Sequence, residues 1–102
     1  MANISVTKSG NSIIVDFGDY VNSDKIDYSK TSYLLADLVQ ISLVKDGSHI
    51  ELKMKDAHIR LRWLLTYDST YSGTEFFIVD TVEGVSPTSE SDLFDKLTSL
   101  RN

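Results

Sequence analysis

The sequence of 102 residues contains no cysteine, a single proline and no long apolar run. The absence of cysteine excludes disulfides, thiolate zinc sites and thiol catalysis. An apolar run would need about 20 residues to cross a membrane as a helix. The first residues, Met1–Ile4, also lack the basic segment and apolar core of a signal peptide. We therefore expect no membrane partner and no secretion through a signal peptide.

Short motifs of common enzyme chemistry are also missing. The sequence has no nucleophile elbow, P-loop, dinucleotide-binding fingerprint or zinc-binding helix. No pair of carboxylates is singled out for acid–base work. These absences predict a protein that is not an enzyme and that has no catalytic residues, no cofactor, no metal site and no small-molecule partner.

Basic residues are fewer than acidic ones, 10 against 15, which gives a formal net charge of −5. An acidic chain of this size is a poor candidate for general binding to nucleic acid or to a membrane surface. Hydrophobic residues make up 41% and charged residues 25%, which is ordinary for a globular domain. We therefore expect one β-rich domain over residues 1–102.

Alternation of apolar and polar residues dominates the stretch from Val39 to Thr66. This period of two is typical of half-buried strands with one solvent-facing side. Asp46-Gly47 is a strong signal for a two-residue hairpin loop, and Asp56-Ala57 is a weaker candidate for a second one. The two loops predict a three-stranded meander in which one face is apolar throughout. The predicted pairs are Leu43–Ile50, Ile41–Leu52 and Val39–Met54 across the first loop, and Met54–Ile59, Leu52–Leu61 and Ile50–Trp63 across the second.

The N-terminal segment predicts another hairpin, with Gly10-Asn11 as its loop. Val6 would then pair with Val15, Ile4 with Phe17 and Lys8 with Ile13. The other segments give a less regular pattern. They are a long polar loop over residues 18–30, either a helical turn or a strand over 33–38, a loop over 68–74, and a buried strand over 75–82.

The C-terminal segment changes from strand to helix signals. Ser89 is a good N-cap, and Leu93, Leu97 and Leu100 form one apolar stripe at helical spacing. The spacing predicts a helix over about residues 90–100. The fold expected for the chain is therefore mainly β: an antiparallel β-sandwich or curled sheet of about six strands with one C-terminal α-helix. Its expected core residues are Ile41, Leu43, Ile50, Leu52, Met54, Ile59, Leu61, Trp63, Phe77, Val79, Leu93 and Leu97.

The solvent-facing side of the meander is the surface on which we expect protein contacts. The predicted rows place Glu51 opposite Arg62 and Lys53 opposite Arg60, a like-charge pair that an acidic partner would relieve. From Lys45 to Arg62 the net charge is +2, so the remainder of the chain carries −7. The plainest explanation of this basic stripe is a solvated sheet face, and on an acidic body it also fits self-association. A phosphate-binding face is the third interpretation, but the stripe lacks the interleaved exposed aromatics of single-strand binders. The contact residues favoured are Lys53, Arg60, Arg62 and Tyr71.

Other candidate sites have ordinary explanations. His49 and His58 are expected on the same solvent-facing side, about 20 Å apart and too distant to share a metal. The carboxylates between Asp16 and Asp27 lack calcium-loop spacing and predict a solvated acidic loop. Tyrosines such as Tyr67 and Tyr71 fall in or beside loops, where they either pack against the sheet or make contacts with a partner.

The C-terminal third runs through Val79–Val85, enters the helix by Pro87–Ser89 and continues with Asp92–Leu97. Together with Arg62–Leu65, it resembles small structural proteins of tailed bacteriophages and prophages. The resemblance implies a virion component of the head, neck or tail, assembled in the bacterial cytoplasm from copies of itself and other virion proteins. It carries over no functional residue.

We therefore expect a non-enzymatic structural protein that forms homo-oligomers and contacts neighbouring subunits in capsid or tail assembly. Two alternatives remain open. One is a small carbohydrate- or ligand-binding β module that uses Tyr67 and Tyr71. The other is a phage-encoded regulator or inhibitor that binds a host protein or nucleic acid, and any nucleic-acid binding would weaken steeply with salt.

Overall fold

The computed structural model describes residues 4–17, 31–44, 49–63 and 77–102. These residues form a mainly β fold with one C-terminal helix, as the sequence predicts. The helix α1 spans Glu90–Ser99, and a 3-10 turn over Leu35–Asp37 joins two strands. The strands are β1 (Ile4–Ser9), β2 (Ser12–Asp16), β3 (Ser32–Leu34), β4 (Leu38–Val44), β5 (His49–Met54), β6 (Ala57–Arg62) and β7 (Phe77–Val82).

The seven described strands form one mixed sheet in the order β3-β2-β1-β7-β6-β5-β4. Strand β7 lies at its centre and pairs in parallel with β1 on one side and β6 on the other. The remaining pairings are antiparallel, so the prediction of a purely antiparallel sheet is wrong at this centre. The first half of β7, Phe77–Val79, is buried on both faces of the strand and is apolar throughout, whereas Asp80 in the second half is exposed.

The sheet is strongly curled, because its two outermost strands are adjacent in the chain. Strands about 4.8 Å apart would place β3 and β4 roughly 29 Å from each other in a flat sheet. The turn Leu35–Asp37 instead joins them with three residues, which reach little more than about 13 Å. The expected curled sheet is therefore confirmed, and among the described strands it is not closed.

The register of the N-terminal hairpin is confirmed. Val6 pairs with Val15 and Lys8 with Ile13. Gly10 has a φ of 58°, in the left-handed region that a tight hairpin loop requires and that glycine adopts without a steric penalty.

The β4–β5 hairpin confirms the predicted pairs Leu43–Ile50 and Ile41–Leu52. The third predicted pair is wrong, because a bulge at Val39 lets Leu38 pair with Met54. The bulge leaves Val39 outside the ladder with 59% of its surface exposed.

The β5–β6 register differs from the prediction by two residues. Met54 pairs with Ala57, so the loop consists of Lys55 and Asp56 rather than Asp56 and Ala57. Ile50 consequently faces Leu61, and Leu52 faces Ile59. A shift of two residues keeps every side chain on its predicted face, so the apolar face is predicted correctly although the register is not.

One hydrophobic cluster joins the sheet and α1. Leu93 and Leu97 are fully buried in it, as predicted, together with Ile50, Leu52 and Leu61. Ser89 caps the helix by accepting a hydrogen bond from the Asp92 N–H at 3.0 Å. Among the predicted core residues, Ile41, Leu43 and Trp63 are only partly buried against the cluster. Buried hydrophobic residues that the sequence analysis did not place in the core are Ile4, Val6, Ile13, Val15, Phe17, Tyr33, Leu38, Ile78, Val82 and Leu100.

Of four further predicted features, one lies within the described residues. The ambiguous segment 33–38 contains the end of β3, the 3-10 turn and the first residue of β4. The loops over 18–30 and 68–74 and the Asp46-Gly47 turn lie outside the described residues.

Candidate interaction surfaces

The outer face of the meander carries a cluster of basic side chains around one carboxylate, that of Glu51 on β5. The Oε1 atom of Glu51 lies 3.7 Å from Nε2 of His49, and its Oε2 contacts Nε2 of His58 and lies 3.8 Å from Nε of Arg60. Because two of these partners belong to β6, the cluster fixes the β5–β6 register from the solvent side. Cross-strand pairs of this kind contribute about 0.2–1 kcal/mol each.

The histidines lie closer together than the sequence predicts. The two-residue change in register brings His58 to the same carboxylate as His49, so the expected separation of about 20 Å is wrong. His49 is also buried, with 9% of its surface exposed, whereas the prediction placed it in solvent. Within the described residues no group of three or more His, Asp or Glu side chains is arranged to hold a metal ion.

The predicted contact residues have different environments. Lys53 is exposed and faces His58, and Arg60 is partly exposed and faces Glu51, so the predicted like-charge pair of Lys53 with Arg60 does not form. Arg62 is 2% exposed, and the predicted pair of Arg62 with Glu51 is replaced by that of Arg60. Tyr71 lies outside the described residues, as do the alternative ligand-binding residue Tyr67 and the acidic side chains between Asp16 and Asp27. Asp16 itself is exposed at the end of β2.

A second polar site ties the end of β6 to the start of α1. The Trp63 N–H donates to Oε2 of Glu90 at 2.9 Å, and the indole N–H donates to the Pro87 carbonyl at 3.0 Å. Burial raises the pKa of the Glu90 carboxyl above its usual value. The bond from Trp63 and the charges of Arg62 and His49 oppose this effect without cancelling it. The hydrogen bonds of Trp63 thus connect the end of β6 to Glu90 of α1 and to the segment that precedes the helix.

The Trp63–Glu90 contact gives a testable expectation for stability. Glu90→Ala should lower the free energy of unfolding by about 1–3 kcal/mol, because the part-buried Trp63 N–H loses its acceptor. Glu90→Gln retains an acceptor oxygen without the buried charge, so we expect a smaller loss. Urea unfolding can be followed by the fluorescence of Trp63, the single tryptophan of the chain. Equal losses of unfolding free energy in the two variants would show that the charge of Glu90, rather than its hydrogen bond with Trp63, stabilises this contact.

The outer edge of β4 is a third candidate surface. Its sequence, Leu-Val-Gln-Ile-Ser-Leu-Val, has no charged residue and no proline over seven positions. Edge strands in monomeric proteins commonly carry lysine, proline or inward charges that prevent pairing with other chains. Here the bulge at Val39 is the one protective device within the strand. The edge is therefore chemically suited to accept a further strand.

A shallow groove of about 440 Å³ lies where α1 ends beside β1 and β7. Its walls combine the Lys8 and Lys96 amines with the apolar side chains of Val82, Val85 and Leu100. The Lys8 amine already donates to the backbone carbonyl of Asn102 at 3.3 Å, and the Lys96 amine lies 3.4 Å from the Asp92 carboxylate. Both cations therefore have partners within the chain.

No helix among the described residues is long and apolar enough to span a membrane. Comparison of the chain with protein families, curated proteins and solved structures finds no match. Function must therefore be argued from the surfaces described above.

Sequence analysis missed the edge of β4 as a candidate site, although it placed the strand correctly. The available signal was the run of seven uncharged residues. It identifies a site only once the sheet order makes β4 an outermost strand, and this order depends on the parallel pairings of β7.

Proposed function

We propose that the chain is a non-enzymatic structural protein that assembles through contacts with copies of itself and with neighbouring subunits. The observation that supports this proposal is the uncharged outer edge of β4 in a sheet whose described strands do not close. Unprotected edges pair with other chains. Assembly subunits use such pairing, whereas a protein that works as a monomer would have to prevent it.

The proposed assembly is the virion of a tailed bacteriophage, with the chain as a component of the head, neck or tail. This part of the proposal depends on the resemblance of Arg62–Leu65 and of the segment Val79–Leu97. The acidic body and the basic side chains of Lys53, which is exposed, and Arg60, which is partly exposed, supply unlike surfaces through which neighbouring subunits can attract each other.

A small ligand-binding module is the second candidate, and the groove beside Lys8 and Lys96 is the observation that favours it. Its mixture of amines and apolar walls suits a small molecule that carries an anionic group. Occupation would require such a group to replace the Asn102 carbonyl at Lys8 or the Asp92 carboxylate at Lys96. We therefore rank this candidate below assembly.

Light scattering coupled to size exclusion, over a concentration series, tests the proposed function. We expect a mass that rises above the 11.4 kDa of one chain as the concentration increases. An unchanging mass of 11.4 kDa at every concentration would contradict self-assembly. A parallel series in high salt separates contacts between unlike charged surfaces, which screening weakens, from strand pairing, which it affects little.

A further inference from the structure

The outer edge of β4 is open along the second part of the strand. Counting parallel and antiparallel pairings from one edge of the sheet to the other shows that β3 and β4 run in the same direction. Because the turn Leu35–Asp37 joins them without reversing the chain, β4 continues past β3 and does not pair with it. Residues 40–44 pair regularly with β5 on their inner side, and no described strand pairs with their outer side. This stretch can therefore continue the ladder with an added strand.

The beginning of β4 limits the open edge at one end. A bulge at Val39 interrupts the ladder. The Asp37 carbonyl accepts the Lys55 N–H at 2.9 Å on the β5 side, so the next carbonyl along this extended segment, that of Leu38, points away from β5. A guanidinium nitrogen of Arg101 lies 3.4 Å from this outward carbonyl oxygen. An added strand can therefore pair beyond the bulge and must end where the guanidinium lies.

The charge of Arg101 has no carboxylate partner among the residues that the structure describes, where the ion pairs are those of Glu51 and that of Asp92 with Lys96. Its planar guanidinium offers several donors in a fork that fits a carboxylate. Because it lies beside a backbone carbonyl of the edge, it occupies the place that the last backbone group of an added strand would take. A side chain of that strand would instead project to one face of the sheet. The anion that fits here is therefore the C-terminal carboxylate of another chain.

The position of the guanidinium also sets the direction of the added strand. A strand whose carboxyl end meets Arg101 at the beginning of β4 runs antiparallel to β4, whereas a parallel strand could present only its amino end there. When its last residue lies opposite Gln40, the second and fourth residues from its end lie opposite Ile41 and Leu43. These two side chains face the hydrophobic cluster but are only partly buried. Aliphatic residues at the second and fourth positions would therefore pack beside them and extend the apolar face.

We infer that the outer edge of β4 binds the extended C-terminal segment of a partner, antiparallel to β4, with its terminal carboxylate at Arg101 and aliphatic residues at the second and fourth positions from its end. This inference depends on the proposed function, and it names the chemistry of a segment that a neighbouring subunit supplies. The charge-free sequence of β4 suits such a partner, because the carboxylate is then the one charge of the added strand that must be matched. A short ladder buries little surface, so the contact is weak and reversible.

Fluorescence anisotropy with a labelled hexapeptide tests the inference. The probe is Thr-Thr-Ile-Thr-Val-Ser with a free carboxylate, whose β-branched residues favour the extended conformation. The same peptide with a C-terminal amide should bind about tenfold more weakly, because the charged contact with Arg101 is lost. Thr-Ile-Thr-Val-Thr-Ser, in which the aliphatic residues move by one place to the other face, should also bind about tenfold more weakly. Equal affinity of the carboxylate and amide peptides would overturn the inference.

Two protein variants locate the carboxylate. Arg101→Gln should bind the carboxylate and amide peptides equally, because it retains a donor but no charge. Lys8→Gln is the matched control: it removes the same charge, and its amine also donates to a backbone carbonyl, that of Asn102 at 3.3 Å, but it belongs to β1. It should keep the preference for the carboxylate, and both variants should unfold at the wild-type urea concentration. A preference that persists in Arg101→Gln would place the carboxylate elsewhere and contradict the inference.

Two N-methylated forms of the probe test the ladder itself. In an added edge strand only alternate N–H groups point towards β4. Methylation of the third residue from the end and methylation of the fourth should therefore differ, with about tenfold weaker binding in one form and nearly unchanged binding in the other. Equal losses in both forms, or no loss in either, would contradict strand addition.

The light-scattering series separates this inference from the proposed function. If the mass rises with concentration but no peptide binds at up to about 1 mM, the proposed function stands and the inference fails. If the carboxylate peptide binds as expected while the mass stays at 11.4 kDa, the inference stands and self-assembly is contradicted. If neither is observed, both proposals fail.

Discussion

Leu97→Ala is expected to lower the free energy of unfolding by about 3–5 kcal/mol. Leu97 is fully buried and belongs to the cluster that joins α1 to the sheet. Truncation to alanine removes the transfer free energy of the side chain and leaves a cavity between two rigid layers, which cannot collapse around it. Since domains of this size are stable by only about 5–15 kcal/mol, the variant should lose much of its resistance to urea.

Asp95→Ala is the matched control for this variant. Asp95 lies on the exposed side of the same helix, and its backbone carbonyl still accepts the Ser99 hydroxyl at 2.9 Å after the substitution. We expect a change within about 0.5 kcal/mol. Trp63 fluorescence reports both transitions, because the indole is hydrogen-bonded to the segment that enters α1. A loss below about 1 kcal/mol in Leu97→Ala would mean that the helix does not depend on this contact.

Phe77→Ala is expected to cost about 3–5 kcal/mol as well, for a different reason. Phe77 opens the central strand β7, where it pairs with Leu61 of β6 and meets the ring of Phe17 edge to face at a centroid distance of 5.2 Å. Among the described elements, β7 alone pairs with both the β1–β3 group and the β4–β6 meander. Loss of the ring therefore weakens the contact between the two halves of the sheet rather than the pairing within one hairpin.

A double-mutant cycle separates the ring contact from simple loss of volume. Phe17→Ala, Phe77→Ala and the combined variant should show a coupling of about 0.5–1.5 kcal/mol, the usual contribution of an edge-to-face pair. Leu34→Ala is the control in which an exposed apolar side chain is truncated, since Leu34 is 54% exposed on the edge strand β3. Strict additivity of the two single losses would contradict a direct contribution of the ring pair.

Turn chemistry determined which registers could be predicted from the sequence. Gly10-Asn11 allows few hairpin geometries, and the register of β1 with β2 is confirmed. Asp56-Ala57 lacks the glycine that a type I′ turn favours at its second position, and the period of two is unchanged when a strand shifts by two residues. The pattern therefore predicts which face Leu52 occupies but not whether Ile59 or Leu61 lies opposite to it.

The errors in the candidate site follow from that two-residue shift. It exchanged Arg62 for Arg60 opposite Glu51 and brought His58 to the same carboxylate as His49. The parallel position of β7 could not be predicted either. Local patterns describe hairpins between neighbouring strands, whereas β1 and β7 meet across 75 positions, from Ile4 to Val79. Such pairings between distant segments decide whether a strand lies at the edge or at the centre of the sheet.

Because β7 lies at the centre of the sheet, β1 and β6 can complete their pairing only after β7 has been synthesised. When the ribosome has completed β6, the inner edges of β1 and β6 have no strand to pair with, and they acquire it only after Val82 has been added. At about 5–20 residues per second, this interval lasts about 1–4 s. A released fragment that ends before Phe77 lacks the central strand, so the inner edges of β1 and β6 stay unpaired with β7. We therefore expect translation stalled before Phe77 to release aggregation-prone fragments, and the complete chain to fold after its central strand has been synthesised.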